Sequence, residues 1–374
     1  MSDRPIRLYG AKISMFTGKV RSYLIKNHIP FEEAAVSDPH FVNHIVPKIG
    51  RNIIPVIETA DGTIVQDTTD IIDYFEAHVS PRVSAYPDDA LTHLLALIFE
   101  VFGDLGLTRP AMHYRWSFPD QTNGFITHGF SAGLGPDASE QQRAGVDKAI
   151  KKFSGFLPML GVTAETIPEV ERSYLELLSL LDPHFVRHPY FLSPRPTMAD
   201  YSMMCSLYAH LGRDPVPAGL MKNHAPNMYR WTERMNLPHD DLSDMPYYSP
   251  SETRPETLGP ILSYIGQYFM PQYQANVEIL NALPVPISGT RASLHPKFFV
   301  LGMASFNHGD VSITSAVTPM MFYMSQRVSD FYATLSDTEQ SKARDYLSPY
   351  GLEGLLISTA KYRVTRKDHL EVWE

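Results

Sequence analysis

Cysteine is almost absent: Cys205 is the only one in 374 residues. That excludes an internal disulfide, a Cys-x-x-Cys redox pair and any zinc site built on thiolates. Basic charge is in deficit too, with 32 Lys and Arg against 41 Asp and Glu and a formal net charge of −9. Neutralising phosphates needs clustered Lys and Arg, so nucleic acid is excluded as the main partner. The one basic cluster is Lys361, Arg363, Arg366 and Lys367. It shares its stretch with Asp368, Glu371 and Glu374 and reads as a solvated tail. Long apolar runs are missing as well. The longest, Leu94–Phe99 and Phe298–Ala304, fall far short of the roughly 18 residues that span a bilayer. The opening Met-Ser-Asp-Arg-Pro is no basic-then-apolar signal segment. These deficits predict a soluble, cytoplasmic protein with neither membrane nor nucleic acid as partner.

What is present is apolar mass. Apolar residues make up 44% of the chain and charged ones 20%, enough for a sizeable core and against long disordered tails. Length predicts two or three domains at about 150 residues each. The 30 prolines mark the breaks. Val79-Ser-Pro-Arg-Val-Ser-Ala-Tyr-Pro87 reads as a linker, and so does the polar stretch from Asn236 through Pro260, which has no helical period. The expected units are 1–80, 88–240 and 255–374.

In the first unit, Ile6–Tyr9 reads as a strand and Gly18–Asn27 as a helix with Val20, Tyr23 and Leu24 on one face. Ile29–Val36 reads as a second strand. Ile53–Ile57 and Thr63–Val65 flank Asp61-Gly62, a hairpin signal, and Asp67–His78 returns to helix. The order is that of a small α/β domain. The second unit is helical throughout. Leu91, Leu94, Leu95, Ile98 and Phe102 form one apolar face; Tyr201, Met204, Cys205, Tyr208 and Leu211 form another. Thr197-Met-Ala-Asp200 is a capping box at the start of the latter helix. The third unit shows helical periods near 257–281, 311–334 and 337–356, and its Met320-Met-Phe-Tyr-Met324 is too apolar to leave in water.

Five landmarks, in order over residues 6–235, resemble the glutathione transferases. Ser14-Met-Phe-Thr-Gly-Lys-Val-Arg21 resembles the family's active-site loop, and Ile54-Pro55 its Val-Pro step with a cis proline. Asp67-Thr68-Thr69-Asp70-Ile71 resembles its Glu-Ser-x-x-Ile. Thr197–Asp200 resembles the core-helix cap, and Pro226–Met235, with Trp231, the stretch that follows. The resemblance implies a thioredoxin-like α/β N-terminal domain, an all-α C-terminal domain and, here, an additional helical extension over 255–374. It implies glutathione as co-substrate, a small organic electrophile, no metal, and a homodimer. Two departures stand out. Pro47–Pro55 is longer than the family's loop, and Ile53 replaces a lysine that often precedes Val-Pro, leaving Arg51, Lys48 or Asn52 to meet the glycine carboxylate.

The chemistry fits a peptide with two carboxylates, an amine and a thiol. Ile54, next to Pro55, would pair with the cysteinyl backbone. Asp67 and Thr68 stand at a helix N-terminus, where free amides favour an anion and a carboxylate receives an ammonium; the γ-glutamyl end offers both groups. Ser14 is the candidate catalytic group. A thiol of pKa ~8.5 is mostly protonated at neutral pH, and a hydroxyl donating to sulfur beside a helix N-terminus lowers that value. Thr17 and Tyr9 are rivals for the same role. Met112-His-Tyr-Arg-Trp116 is a dense aromatic and cationic cluster, so Phe16, His113, Tyr114 and Trp116 are the candidate electrophile pocket, with interdomain packing as the alternative.

Other signals are weaker. Gly129-Phe-Ser131-Ala-Gly133 matches the hydrolase elbow, but Asn123-Gly124 precedes it where a strand is needed and Leu134-Gly-Pro136 would break the following helix. His40/His44 and His184/His188 have the i, i+4 spacing of metal ligands without a His-Glu-x-x-His pattern. Cys205, on a core helix, reads as a buried inert thiol. The competing functional reading is a protein of the same fold that binds a ligand or partner without catalysis.

Overall fold

The computed structural model describes residues 5–135, 137–250, 254–295 and 299–374. Outside the described residues lie the opening tetrapeptide, Pro136, expected from the sequence to break a helix, part of the second linker (251–253) and the Phe298 that begins an apolar run.

β1 (Ile6–Tyr9), α1 (Met15–Lys26) and β2 (Phe31–Ala34) form a β-α-β unit with parallel strands. The short α2 (Val46–Ile49) leads to β3 (Val56–Glu58) and β4 (Ile64–Gln66), then α3 (Thr68–His78). The sheet order is β2-β1-β3-β4, with β3 antiparallel to both neighbours. The expected hairpin turn is present: Asp61 accepts the Thr63 amide at 3.1 Å, and Gly62 takes φ +85°, a conformation costly for a side chain.

α4 (Ala90–Val101), a π turn and α5 (Thr108–Trp116) form one helical run. By length and composition this run is apolar enough to cross a membrane, which uninterrupted apolar runs alone did not reveal. Here it is the interior of the fold: Leu94 through Phe102 are buried without a break. α6 (Pro119–Gln121), α7 (Thr127–Ser131), α8 (Glu140–Ser154), α9 (Ile167–Arg187), α10 (Met198–Ala209), α11 (Pro215–His224) and α12 (Pro226–Arg234) complete the helical region. α10 is the central helix, buried at every position except Tyr208 and packed on both α1 and α4. Its capping box forms. Asp200 accepts from the amides of Thr197 (2.9 Å) and Phe191 (3.0 Å) and from the Trp231 indole (3.3 Å), and burial pushes its carboxyl up to about 6.

Beyond α12 come α13 (Leu258–Tyr268), α14 (Met270–Asn281), β5 (Gly302–His308), β6 (Val311–Val317), α15 (Pro319–Thr334), α16 (Asp337–Leu347), β7 (Val364–Lys367) and β8 (Leu370–Trp373). Two expectations are corrected. The segment 311–334 is not one helix. Val311-Ser-Ile-Thr-Ser-Ala-Val317 alternates at period 2 and pairs with β5 across Gly309 (φ +58°), so helix begins only at Pro319. The basic tail is solvated only in part: Lys361, Arg363 and Lys367 are exposed, but Arg366 is not. It folds into the β7–β8 hairpin, whose Arg366 and Glu371 side chains are 7% and 3% exposed. Met321, Phe322 and Met324 of α15 join the main core, with α15 packed on α4.

A buried charge cluster ties these parts together. Lys19 of α1, fully buried, donates to Glu100 (3.0 Å) of α4 and to Asp104 (2.7 Å) in the π turn. Glu100 also accepts from Thr69 of α3 (2.8 Å) and meets Arg327 of α15 (3.4 Å). Burial alone would lower the Lys19 pKa; the two carboxylates outweigh it and hold the ammonium above its ordinary range. Burial pushes Asp104 up to about 6, whereas for Glu100 the Lys19 and Arg327 cations overcome burial and hold it below the usual carboxylate range.

Removing one partner of such a pair leaves charge buried and uncompensated. Lys19→Met should therefore cost about 3–5 kcal/mol in denaturant unfolding. Without the cation both carboxyls rise in pKa, so the folded variant holds more protons than its unfolded chain between the two pKa ranges and regains stability as pH falls. The deficit should be smaller at pH 5 than at pH 8, and adding Glu100→Gln and Asp104→Asn should recover most of it. A pH-independent deficit would contradict this account.

Candidate functional site

The sheet register assembles the site. Tyr9 pairs with Val56 and Val56 with Gln66. The end of β1, the start of β3 and the end of β4 therefore share one edge, and the segments that continue from them (Ser14, Ile54-Pro55 and Asp67-Thr68) emerge at the same end of the sheet.

Ser14 is the N-cap of α1, half-buried, and its Oγ accepts the Thr17 amide at 3.3 Å. That bond uses an oxygen lone pair and leaves the hydroxyl proton free to be donated. The helical region fixes this loop. Arg115 of α5 donates to the Ile13 carbonyl at 2.7 Å and is itself held by Asp214 at 2.7 and 2.8 Å, both side chains buried. Arg213 donates to the Lys12 carbonyl. Neither rival hydroxyl is placed like Ser14. Thr17 is buried, packs its methyl against Gly10 where no Cβ would fit, and accepts the Ala11 amide. Tyr9 is buried against Phe41 (5.1 Å between rings) and donates to Glu58 at 2.8 Å, while His40 meets the same carboxylate at 3.1 Å. Burial and the Glu58 bond push the Tyr9 phenol up to about 12.

The Ile54–Pro55 bond is cis, and the Ile54 amide and carbonyl have no hydrogen bond to another described residue. At the head of α3, Asp67 takes φ +85°, a strained backbone for a residue with a Cβ, and caps the helix by accepting the Thr69 amide at 3.2 Å. Thr68 beside it is buried.

The second hairpin enters the site here. Arg366 of β7 reaches Asp67 with Nη2 (3.1 Å) and Asp70 with Nη1 (2.7 Å), and Nη2 also meets Glu371 of β8 (3.3 Å). Tyr323 of α15 donates to Asp70 at 2.8 Å and lays its ring 4.7 Å from the guanidinium. Burial raises the Asp70 pKa, with Arg366 opposing it. Arg51, nominated for the glycine carboxylate, is committed elsewhere. It donates to Gln66 (2.6 Å) and pairs with Glu371 (3.1 Å).

The aromatic cluster on α5 does not gather at Ser14. His113 bonds Ser117 and Glu171, both at 2.9 Å; Tyr114 stacks on Phe118 and packs on Tyr174; Trp116 packs on Phe130 in a separate apolar cluster. All three rings are buried, which is the packing alternative, and Phe16 is half-buried against the main core. Sequence reasoning missed Tyr208 and Phe125, on whose faces the Arg213 guanidinium lies at 5.9 and 5.6 Å. It missed Arg366 too, which the β7–β8 hairpin carries to the head of α3.

The remaining signals resolve into structure. Ser131 sits at the end of α7 and donates to its own helix at Thr127, not on a strand-to-helix elbow. His184 is buried between Thr257 (2.7 Å) and the Tyr190 carbonyl (3.1 Å). Cys205 is buried in the main core, its thiol donates to Asp104 at 3.2 Å, and burial with that carboxylate holds its pKa well above the ordinary thiol value. Among the described residues, His28, His239 and Asp240 bring three potential metal-ligand atoms close together; the His28–Asp240 ion pair (3.5 Å) already uses two of them.

Two family models match the sequence. Residues 8–82 match the glutathione S-transferase N-terminal domain and 147–237 the glutathione S-transferase C-terminal domain, and neither reaches past 237. No curated protein matches the chain. Similar solved structures include a glutathione S-transferase from Rhodospirillum rubrum (18% identity, 67% of this chain and 96% of that one, TM-score 0.39). Another is a glutathione S-transferase from Methylobacterium radiotolerans in complex with glutathione sulfonate (18%, 67% and 98%, TM-score 0.37). A third is the beta-etherase LigF from Sphingobium (18%, 62% and 95%, TM-score 0.43).

Because the Tyr9 hydroxyl points into the Glu58–His40 group and not to the edge shared by Ser14 and Asp67, Tyr9→Phe should be a stability variant only. It should lose about 1 kcal/mol in thermal or denaturant unfolding, the usual worth of one hydrogen bond. Any glutathione-dependent rate should stay at the wild-type value; a fall would put Tyr9 back among the catalytic candidates.

Proposed function

The chain belongs to the glutathione transferase family, and from that premise we propose that it is a glutathione-dependent transferase acting on a small organic electrophile. Residues 1–80 supply the peptide side of the site and 88–240 the electrophile side. The observation that carries the reading is the register Tyr9–Val56–Gln66, which puts a half-exposed helix-capping hydroxyl, an unpaired stretch of peptide edge and an acidic helix N-terminus at one end of one sheet. Ile54 would pair with the cysteinyl backbone, Asp67 and Thr68 would face the γ-glutamyl end, and Ser14 would donate to the sulfur.

In that arrangement the Ser14 proton and the amides of the first turn of α1 stabilise a thiolate more than a thiol, so the bound thiol loses its proton nearer neutral pH. The thiolate then attacks the electrophilic carbon; a carbon–sulfur bond forms and either a leaving group departs or an adjacent double bond takes the electron pair. The side that Phe125, Tyr208 and Arg213 offer, next to the Lys12–Ser14 loop, suits a planar or anionic electrophile better than the buried His113, Tyr114 and Trp116. A homodimer, if formed, would not use the face of α3 and α4 beneath α15, where Arg327 pairs with Asp73 at 2.6 Å.

A second reading has an observation of its own. Arg366 lies on Asp67, where a γ-glutamyl ammonium would go, which favours a binding or interaction protein without turnover. Retention on immobilised glutathione, followed by a conjugation assay with a chlorodinitrobenzene, separates the two: turnover supports the first, and retention without turnover or no retention supports the second.

If the transferase reading holds, Ser14→Ala should slow turnover roughly 10- to 100-fold, the kinetic equivalent of one hydrogen bond to a charged acceptor at ~1.5–3 kcal/mol. The affinity for glutathione should change little. The variant's rate should go on rising to higher pH, because its bound thiol has lost the donor that lowered its pKa. Wild-type turnover with an unshifted pH profile would remove Ser14 from the mechanism.

A further inference from the structure

Building on the glutathione reading, we propose that the β7–β8 hairpin is a built-in occupant of the amine end of the site, and that Arg366 is the residue that sets what this end admits. A γ-glutamyl group brings an ammonium and a carboxylate on one carbon. The ammonium needs a carboxylate at the head of α3, and the described side chains there are Asp67 and, one turn on, Asp70. Arg366 holds both. Its side chain is 7% exposed, and Glu371 closes on it from the neighbouring strand while also pairing Arg51. One guanidinium thus stands where the ligand's cation would stand, supplied from nearly 300 residues further along the chain.

The hairpin is not a loose strap. Gln326 of α15 pins β7 by two bonds to the Val364 backbone (2.8 and 2.9 Å), and Val364 and Trp373 are part of the main core. The charges around the subsite are three carboxylates (Asp67, Asp70, Glu371) and two guanidiniums (Arg366, Arg51). A third cation is therefore not repelled, but it finds Asp67 already engaged. The two contacts of Arg366 with α3 are unequal. Nη1–Asp70, at 2.7 Å and backed by the Tyr323 hydroxyl, is the anchor; Nη2–Asp67, at 3.1 Å and shared with Glu371, is the contact an ammonium has to displace. A thiol peptide that keeps the carboxylate but lacks the amine has nothing to displace. Arg366 thereby narrows the advantage of glutathione over amine-free thiols.

The test is calorimetric titration of the full chain with glutathione and with its des-amino analogue, glutaryl-cysteinyl-glycine. The intact protein should bind the two within about threefold of each other, and Arg366→Ala should bind glutathione about tenfold or more tighter than wild type, with little change for the analogue. Asp67→Asn should abolish that gain in the Arg366→Ala background. Arg366→Gln, which keeps donors without charge, should behave as Arg366→Ala and replaces it if the alanine variant melts early. If glutathione binds wild type but no tighter, or more weakly, to Arg366→Ala and Arg366→Gln, then Arg366 is not a competitor and this inference alone fails. If glutathione binds neither wild type nor the variants, the glutathione reading fails and takes this inference with it.

Discussion

Lys19 is the pivot of the molecule. An ammonium with no exposed surface sits between Glu100 and Asp104, and through Glu100 the same cluster reaches Thr69 and Arg327. Burying isolated charges is costly enough that they stay only when paired and hydrogen-bonded. α1, α3, α4, the π turn and α15 are therefore held to one mutual arrangement, because any shift between them would strand a charge. Ser14 caps the helix that carries Lys19, and Asp67 caps the helix that carries Thr69. The two ends of the proposed peptide site are thus set by the same interior ions. Arg115, buried on Asp214 and donating to Ile13, repeats the device at the Ser14 loop.

Much of this was readable in sequence because the signals were local. Asp61-Gly62 specifies its own turn, Thr197 and Asp200 satisfy each other within one helical turn, and Ser14 and Asp67 cap the helices that begin beside them. The misreadings have physical reasons. His113, Tyr114 and Trp116 were grouped by adjacency, but neighbouring positions on a helix point in different directions, and these three pack on different partners. The segment from Val311 was read at the helical period when its branched residues alternate at period 2. Arg366 was assigned to solvent because a charge run in sequence carries no record of the carboxylates it will meet; Asp67 lies almost 300 positions away. Ion pairs of that separation are products of the tertiary fold and leave no local trace.

The part of the chain beyond 237 does more than decorate a two-domain protein. α15 lies on α4, joined to α3 through Arg327–Asp73 and Tyr323–Asp70, while the β7–β8 hairpin reaches Asp67 at the head of α3. The extension is therefore bound to the same helices that shape the site, and its buried Met321, Phe322, Met324 and Trp373 belong to the common core. The fold and the candidate site cannot be assigned to separate parts of this chain.

The cover that α15 places over α3 and α4 has a thermodynamic consequence. A surface buried by a second copy is buried only while the two are associated, and dilution exposes it by mass action. A surface buried by a later segment of its own chain sees that segment at a fixed effective concentration, however dilute the solution. The α3–α4 face of this protein, with the ions beneath it, therefore stays sealed in a single molecule, and the integrity of the site is decoupled from how much of the protein is present.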